Sequence, residues 1–528
     1  MQFGATTLNL AAIIEQHARL SPDKTAIVCK DLRLSYGELN EQANRVANAL
    51  VELKVGHGDK VALVCPNLPF FPVVYYAILK AGAAVVPLNV LFKAREFAYH
   101  LEDSDAKAVF VFEGTDELPM AQTVKEAFDA VETCENLIVM TADKNAPSPF
   151  AEHKTLAQIT DGKSDKFETF PTKPEDTCAI LYTSGTTGQP KGAELTHLNI
   201  FLNSVATHNL HLPVLDFTGG EQKTVLITLP LFHTTGQTVQ MNTNLYAGNR
   251  IVLLPRFEAK ATLETMERER VNFWIGVPTM YWSVLKFVEE NNYDVSKIKD
   301  SLKVPTSGGA PMPVEVMKEF EQVFGIRVLE GYGLSETSPL ACFNHFEKPS
   351  KPGTVGQPIF GVEVKCVDEN DREVKCGERG EVVIRGNNIM KGYYKRPEAT
   401  AEAFKNGWFH TGDIGIIDTE GYLSIVDRKK DMILRGGYNV YPRELEEVIM
   451  THEAVSLVAV VGVPDERLGE EVKAFVVLKH GFSLKKEDFT NWCKQQFAAN
   501  KYPRHVEFRD ELPVSGTGKI LKRELRQK

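Results

Sequence analysis

Eight cysteines are scattered over the 528-residue sequence, with no C-x-x-C pair and no histidines clustered at metal-ligand spacing. A disulfide framework and a zinc site are thereby excluded, and the thiols are expected to be reduced. No apolar run reaches the length of a membrane-spanning helix, because Asn67, Lys80 and Asn89 interrupt the longest candidates. The stretch from Met1 to Leu20 lacks a basic n-region. Leu8, Ala11, Ile14 and Ala18 recur there in an amphipathic pattern beside Glu15 and Arg19, which predicts a first helix and not a secretory signal. Leu525-Arg526-Gln527-Lys528 carries no peroxisomal tripeptide, so the expected location is the cytoplasm. Positive charge is in deficit, and the net of −10 excludes a general nucleic-acid binder. Short-period repeats and low-complexity tracts are also absent.

What is present describes an ordinary globular chain: 43% hydrophobic, 25% charged and 9% aromatic residues. The length allows about three or four domain-sized units, or fewer if α/β bodies are large. From about residue 21 to 170, β-rich runs (Ala26-Ile27-Val28, Val61 to Val64, Ala84-Val85-Val86) alternate with helical ones (Tyr36 to Leu53, Pro72 to Leu79). The alternation predicts crossover connections and a largely parallel sheet covered on both faces. Asn145 to Lys173 reads as a connector, and the alternation resumes over 178–335. The fold class expected is therefore α/β, with two α/β halves. Gly361 to Asp427 changes to short strands with Gly and Asp turns, a small β-rich subdomain. From Arg428 to Lys528 there are 19 Lys plus Arg against 15 Asp plus Glu, a net of +4, which leaves −14 on residues 1–427. This places a boundary after Asp427, with 1–427 as the body and 428–528 as a basic cap suited to polyanions.

The most informative stretch is Tyr182-Thr183-Ser184-Gly185-Thr186-Thr187-Gly188-Gln189-Pro190-Lys191-Gly192, which follows the apolar run Cys178 to Leu181. Its glycines let the backbone approach an anion, the hydroxyls of Thr183, Ser184, Thr186 and Thr187 add donors, and Lys191 supplies charge. It is not a Walker loop, because Lys191 sits between Pro190 and Gly192.

Taken with Gly331-Tyr332-Gly333-Leu334-Ser335-Glu336, His410-Thr411-Gly412-Asp413, Asp427-Arg428-Lys429-Lys430-Asp431 and Pro513-Val514-Ser515-Gly516-Thr517-Gly518-Lys519, the loop makes the chain resemble the adenylate-forming (acyl-CoA synthetase, AMP-binding) superfamily over nearly its whole length. Within it, Ala193-Glu194-Leu195-Thr196-His197 and Gly407 to Asp413 look most like the bacterial fatty-acyl-CoA ligases. The resemblance implies a mobile α+β C-terminal domain that closes over the body.

It also implies roles for particular residues. ATP would be held by Thr183, Ser184, Gly185, Thr186, Thr187, Gly188, Lys191, Gly309, Ala310, Glu330, Gly331, Tyr332, Gly333, Ser335, Asp413 and Arg428. Tyr332 would stack on adenine, and Asp413 with Arg428 would hold the ribose. Thr183 and Glu336 would bind Mg²⁺, and Lys519 would act in catalysis on the α-phosphate. The hinge residue matches Lys430. Arg256, Gly436 and Gly437 match positions that serve coenzyme A, and His233 the residue between the acyl pocket and the coenzyme A tunnel. The pocket itself would be lined by Phe232, His233, Gly236, Ser307, Gly308, Gly309, Leu334, Pro339 and Leu340. The implied reaction joins a carboxylic acid, with a medium- to long-chain fatty acid favoured, to coenzyme A at the expense of ATP through an acyl-adenylate. The alternatives are an aryl-CoA ligase of the coumarate or benzoate type and an enzyme loading a separate carrier protein. The sequence leaves the oligomeric state open.

Overall fold

Local sequence sets the elements that carry the cavity. Thr196 caps helix His197–His211: its hydroxyl accepts from the Asn199 N–H at 3.1 Å, and the Asn199 side chain accepts from the Thr196 N–H at 3.0 Å. The helix follows directly on strand Lys191–Thr196, so the cap fixes the angle at which the chain leaves the sheet. Helix Phe70–Lys80 is apolar nearly all round and is buried nearly all round, as such a helix must be. Lys80, which breaks that apolar run, is buried and paired with Glu15.

The computed structural model describes residues 6–183, 189–214, 221–349, 351–516 and 518–526. They form a large N-terminal body and a small C-terminal α+β domain. One sheet of the body has nine strands, in the order Gln357–Pro358, Leu340–Phe343, Leu329–Gly333, Val304–Ser307, Phe273–Gly276, Thr224–Ile227, Arg250–Leu253, Thr25–Cys29, Leu32–Ser35. The other has seven, in the order Gly392–Tyr393, Lys191–Thr196, Thr177–Thr183, Ala84–Pro87, Lys60–Val64, Ala106–Phe112, Asn136–Met140. The centres of both sheets are parallel, as the strand and helix alternation predicts.

The two halves are not contiguous in sequence. Thr25–Cys29 pairs with Arg250–Leu253, and Gly392–Tyr393 pairs with Lys191–Thr196, so each sheet borrows strands from the other end of the body. A second finding concerns Gly331-Tyr332-Gly333, whose two glycines suggest a turn. It lies within strand Leu329–Gly333, antiparallel to Leu340–Phe343. Glycine is required there by crowding: a Cβ on Gly333 would lie 1.7 Å from the Pro339 carbonyl oxygen.

The β-rich subdomain is a five-stranded sheet in which Trp408–Ile417 pairs with Leu423–Arg428 and sets Asp413 directly opposite Arg428. The last sheet starts at Ile433–Arg435 and contains the long antiparallel pair Val455–Asp465 and Gly469–Leu478. It rests on helix Pro278–Asn291, where the Trp282 indole N–H donates to Ser456 Oγ at 2.8 Å and the Thr279 hydroxyl donates to the Gly518 carbonyl at 2.5 Å.

Candidate active site

Both sheets of the body, the β-rich subdomain and the C-terminal loop converge on a cavity of about 580 Å³. The hairpin Thr177–Thr183 and Lys191–Thr196, in register Thr183 to Lys191, presents Thr183 and Lys191 to one side of it. Ser184, Gly185, Thr186, Thr187 and Gly188 lie outside the described residues. Opposite Thr183 stands Glu336, buried, whose Oε1 accepts from the Thr183 hydroxyl at 3.3 Å and from the Tyr393 hydroxyl at 2.9 Å. The Lys191 ammonium lies over the Tyr393 ring, 5.3 Å from its centre. A hydroxyl, a buried carboxylate and a cation thus share one corner. Among the described residues no group of three or more His, Cys, Asp or Glu side chains is placed to hold a metal by itself.

A second corner is built on the pairing of Asp413 with Arg428. Asp413 is buried; its Oδ1 lies 3.1 Å from Arg428 Nε, and its Oδ2 accepts from the Tyr332 hydroxyl at 2.6 Å. Burial raises its pKa above the usual aspartate value, while the Arg428 charge and the Tyr332 hydrogen bond oppose the rise. Each oxygen keeps lone-pair capacity for a further donor. Tyr332 presents its ring to the cavity between these corners, beside Gly331, Gly333 and Ser335.

Lys519 enters from the C-terminal loop. A Cβ built on Gly309 would meet Lys519 Cε at 3.0 Å and Nζ at 3.4 Å, so a side chain there would crowd the lysine, and the positive φ of Gly309 favours glycine as well. Lys519 is solvent-accessible from the open side of the cavity. Protein packed around the ammonium nevertheless desolvates it and, with the Arg428 charge, pulls its pKa down to about 8 against the opposing pull of Asp413. His233, also on the cavity wall, is held neutral: burial first, then the Lys519 charge, lowers its pKa to about 3.

The cavity also takes in Ser307, Gly308, Gly309, Leu334, Pro339, Leu340 and Lys430. Other expected residues are elsewhere. Glu330 does not line it: buried, it accepts the Met312 N–H at 3.0 Å, and burial raises its pKa to about 7. Ala310 is likewise off the wall. Phe232 is buried behind His233, with ring centres 5.0 Å apart. Gly236 does not provide depth for a ligand, because a Cβ there would lie 2.3 Å from the Pro230 carbonyl oxygen. It belongs to a π-helix, Thr235–Asn242, whose wide turn seats Thr235 and Val239 on the wall. Arg256 is exposed and away from the cavity, as are Gly436 and Gly437 in the turn between Ile433–Arg435 and Tyr438–Val440.

Residues that sequence reasoning missed include Tyr393, which braces Glu336, and the pocket-lining Thr207, His211, Phe273 and Phe343. Period-two alternation along Phe273-Trp274-Ile275 was the available signal for Phe273 and Ile275 sharing a face. For Tyr393 there was none beyond the string Lys391-Gly392-Tyr393-Tyr394.

The AMP-binding enzyme family model matches residues 14–394, and the model of the AMP-binding enzyme C-terminal domain matches residues 444–519. The chain belongs to the AMP-binding enzyme family. It is 36% identical to a long-chain-fatty-acid–CoA ligase of Bacillus subtilis (strain 168), over 98% of this chain and 94% of that one. It is 35% identical to a feruloyl-CoA synthase of Amycolatopsis sp over 97% of each chain. Among solved structures, ATP-bound MatB from Rhodopseudomonas palustris superposes with a TM-score of 0.88 at 32% identity, covering 99% of both chains. The family member described here is an AMP-forming acid–thiol ligase, the class its motifs predict. No helix among the described residues is long and apolar enough to cross a membrane.

The Lys519 environment gives a pH dependence with a definite sign. If the Lys519 ammonium acts on the phosphate, as the motif implies, kcat/KM for pyrophosphate release should fall as pH rises through about 8 in the unliganded enzyme. Lys519→Arg, whose guanidinium stays charged, should lose that alkaline limb whatever its absolute rate. An identical limb in both proteins would assign the titration to another group.

Proposed function

We propose that the cavity adenylates a neutral carboxylic acid with an apolar body, a medium-chain fatty acid first, and then passes the acyl group to coenzyme A. The observation that carries this reading is the segregation of charge along the wall. Lys191, Glu336, Glu381, Glu402, Lys405, Arg428, Lys429, Lys430 and Lys519 belong to the polar end, whereas the part lined by Leu210, Leu229, Phe273, Ile275 and Leu340 has no ionised side chain. A polyanion fits the first part and an uncharged tail the second.

In the first half-reaction a carboxylate oxygen attacks the α-phosphorus, and the bond to the bridging oxygen breaks to release pyrophosphate. Lys519 stabilises the charge that builds on the α-phosphate oxygens, and Lys191 holds the departing phosphates. Asp413 and Arg428 hold the ribose, with Tyr332 against the base. Glu336 and Thr183 fit Mg²⁺, which takes one or two protein oxygens and completes its shell with phosphate and water. When bound, the ion supplies neutralisation of phosphate charge.

In the second half-reaction the coenzyme A sulfur, giving up its proton, attacks the acyl carbon as the bond to AMP breaks. Gly436 and Gly437 reach the site only after residues 428–528 turn about Lys430. Arg256 serves the far end of coenzyme A, and neutral His233 separates the acid from the incoming thiol. Aryl acids are the second reading, favoured by the Phe273, Phe343 and His211 rings at the closed end of the pocket.

The test is pyrophosphate release over straight-chain acids beside benzoate, coumarate and malonate, with and without coenzyme A. Each further methylene buried should improve kcat/KM by about 0.8 kcal/mol, until the pocket is full. Malonate should be rejected, because its second carboxylate would be buried without a partner. Preference for malonate over octanoate would overturn the apolar-pocket reading, and thioester formation only on a carrier protein would overturn the coenzyme A step.

A further inference from the structure

The closed end of the acyl pocket is not uniformly apolar. Helix His197–His211 presents Thr207, Leu210 and His211, one face at i, i+3 and i+4, to the cavity wall. His211 is buried and its ring packs on Phe273, with centres 4.5 Å apart at 54°, and edge-on to Phe343 at 6.5 Å. Among the described residues no carboxylate contacts it, and neither ring nitrogen has a hydrogen-bond partner. Burial, reinforced by His208, pulls its pKa down to about 3, so the ring is neutral and offers one donor and one acceptor. The Thr207 hydroxyl donates to the Asn203 carbonyl at 2.8 Å and keeps its lone pairs as acceptors. Midway along the wall, Thr306 Oγ1 is also buried without a partner.

The position of His211 along the pocket can be measured against strand Phe273–Gly276. Phe273, Ile275 and, just beyond the strand, Val277 all face the cavity. Val277 marks the reacting end, because Cβ atoms built on Gly518 and Gly309 would lie 2.9 and 3.8 Å from its methyls, beside Lys519. Phe273 marks the other end. Four residues of extended chain separate the two by about 13 Å. An imidazole at that depth that lines the cavity and has no protein partner among the described residues is free to pair with a polar group of the ligand.

We propose that His211, with Thr207, reads a hydroxyl or carbonyl oxygen at the end of the acid remote from its carboxylate. Resting on the acid-ligation reading above, this narrows the substrate class to neutral acids that carry a terminal hydrogen-bonding group. Unsubstituted acids of the same skeleton leave the imidazole unpaired and lose affinity in the transition state for that reason.

Matched pairs test the idea: 4-hydroxycinnamate against cinnamate, and 8-hydroxyoctanoate against octanoate, read as kcat/KM for pyrophosphate release by the full chain. In the wild type at least one hydroxylated member should exceed its partner by roughly tenfold or more. His211→Phe, which keeps the ring stack and removes both nitrogens, should collapse or invert that ratio, and His211→Gln should preserve part of it. Thr207→Val checks the second contact independently if His211→Phe misfolds. A ratio near one in the wild type, or a ratio unmoved in both His211→Phe and Thr207→Val, overturns the inference while leaving the ligase standing. Absence of pyrophosphate release with every acid overturns both.

Discussion

Lys519→Ala is expected to lower the rate of acyl-adenylate formation by at least about 10²-fold, or about 2.7 kcal/mol of barrier, while sparing thioester formation from supplied acyl-AMP. The asymmetry follows from where charge builds. In adenylation the α-phosphate gains negative charge at the transition state, and the Lys519 ammonium is the cation nearest the Gly308-Gly309 turn that walls the junction of the two parts of the cavity. In thioester formation the phosphate departs with its charge already formed, and the C-terminal loop that carries Lys519 is no longer needed in that place. Because the ammonium is a contact on the body and not a core residue, its removal leaves the fold intact. The Thr279 to Gly518 hydrogen bond and the Trp282 to Ser456 hydrogen bond remain to seat the domain. Single-turnover measurement of each half-reaction decides the matter, and equal losses in both would remove Lys519 from its assigned role.

The polar end of this cavity was legible in the sequence, and the reason is chemical. Glycines, hydroxyls and cations in short runs mark Thr183, Lys191, Glu336, Arg428 and Lys519 locally, and these line one cavity although separate segments supply them, with Asp413 paired to Arg428 and Tyr332. The acyl end has no such grammar. Phe273, Ile275 and Leu340 are the same residue types that fill the core on either side, and only the fold decides which of them face a void. Gly236 shows the converse error: a glycine in a pocket motif suggests space, but this one is filled by the Pro230 carbonyl at its back. Glu330 stands in the same short run as Gly331 and Tyr332, but its carboxylate is taken up by the Met312 N–H, a contact that nothing in the local sequence announces.

The fold divided in the same way. The alternation of strands and helices predicts parallel sheets with covered faces, and the body has them. It does not say which strands share a sheet. The exchange that puts Thr25–Cys29 beside Arg250–Leu253 depends on contacts more than two hundred residues apart, for which no local signal exists.

Lys430→Pro is expected to separate the two half-reactions in the opposite direction, leaving pyrophosphate release within a few-fold of the parent while thioester formation falls by about 10²-fold or more, the cost of a catalytic group held out of place. Lys430 lies in the turn between strand Leu423–Arg428 of the β-rich subdomain and strand Ile433–Arg435 of the C-terminal domain. The turn is closed by the Asp431 and Met432 N–H groups, which both donate to the Arg428 carbonyl at 2.9 and 3.2 Å. The Lys430 N–H takes no part in these bonds, so a proline there forfeits none of them. What proline removes is the freedom of φ, fixed near −65°, at the proposed pivot about which Gly436 and Gly437 would reach the cavity. The residue before it, Lys429, is restricted as well. Loss of the ammonium itself is controlled by Lys430→Ala, which keeps the backbone free and should retain thioester formation. Normal overall turnover in Lys430→Pro would mean that the domain pivots elsewhere, and equal losses in the proline and alanine variants would assign the effect to the lysine charge and not to the hinge.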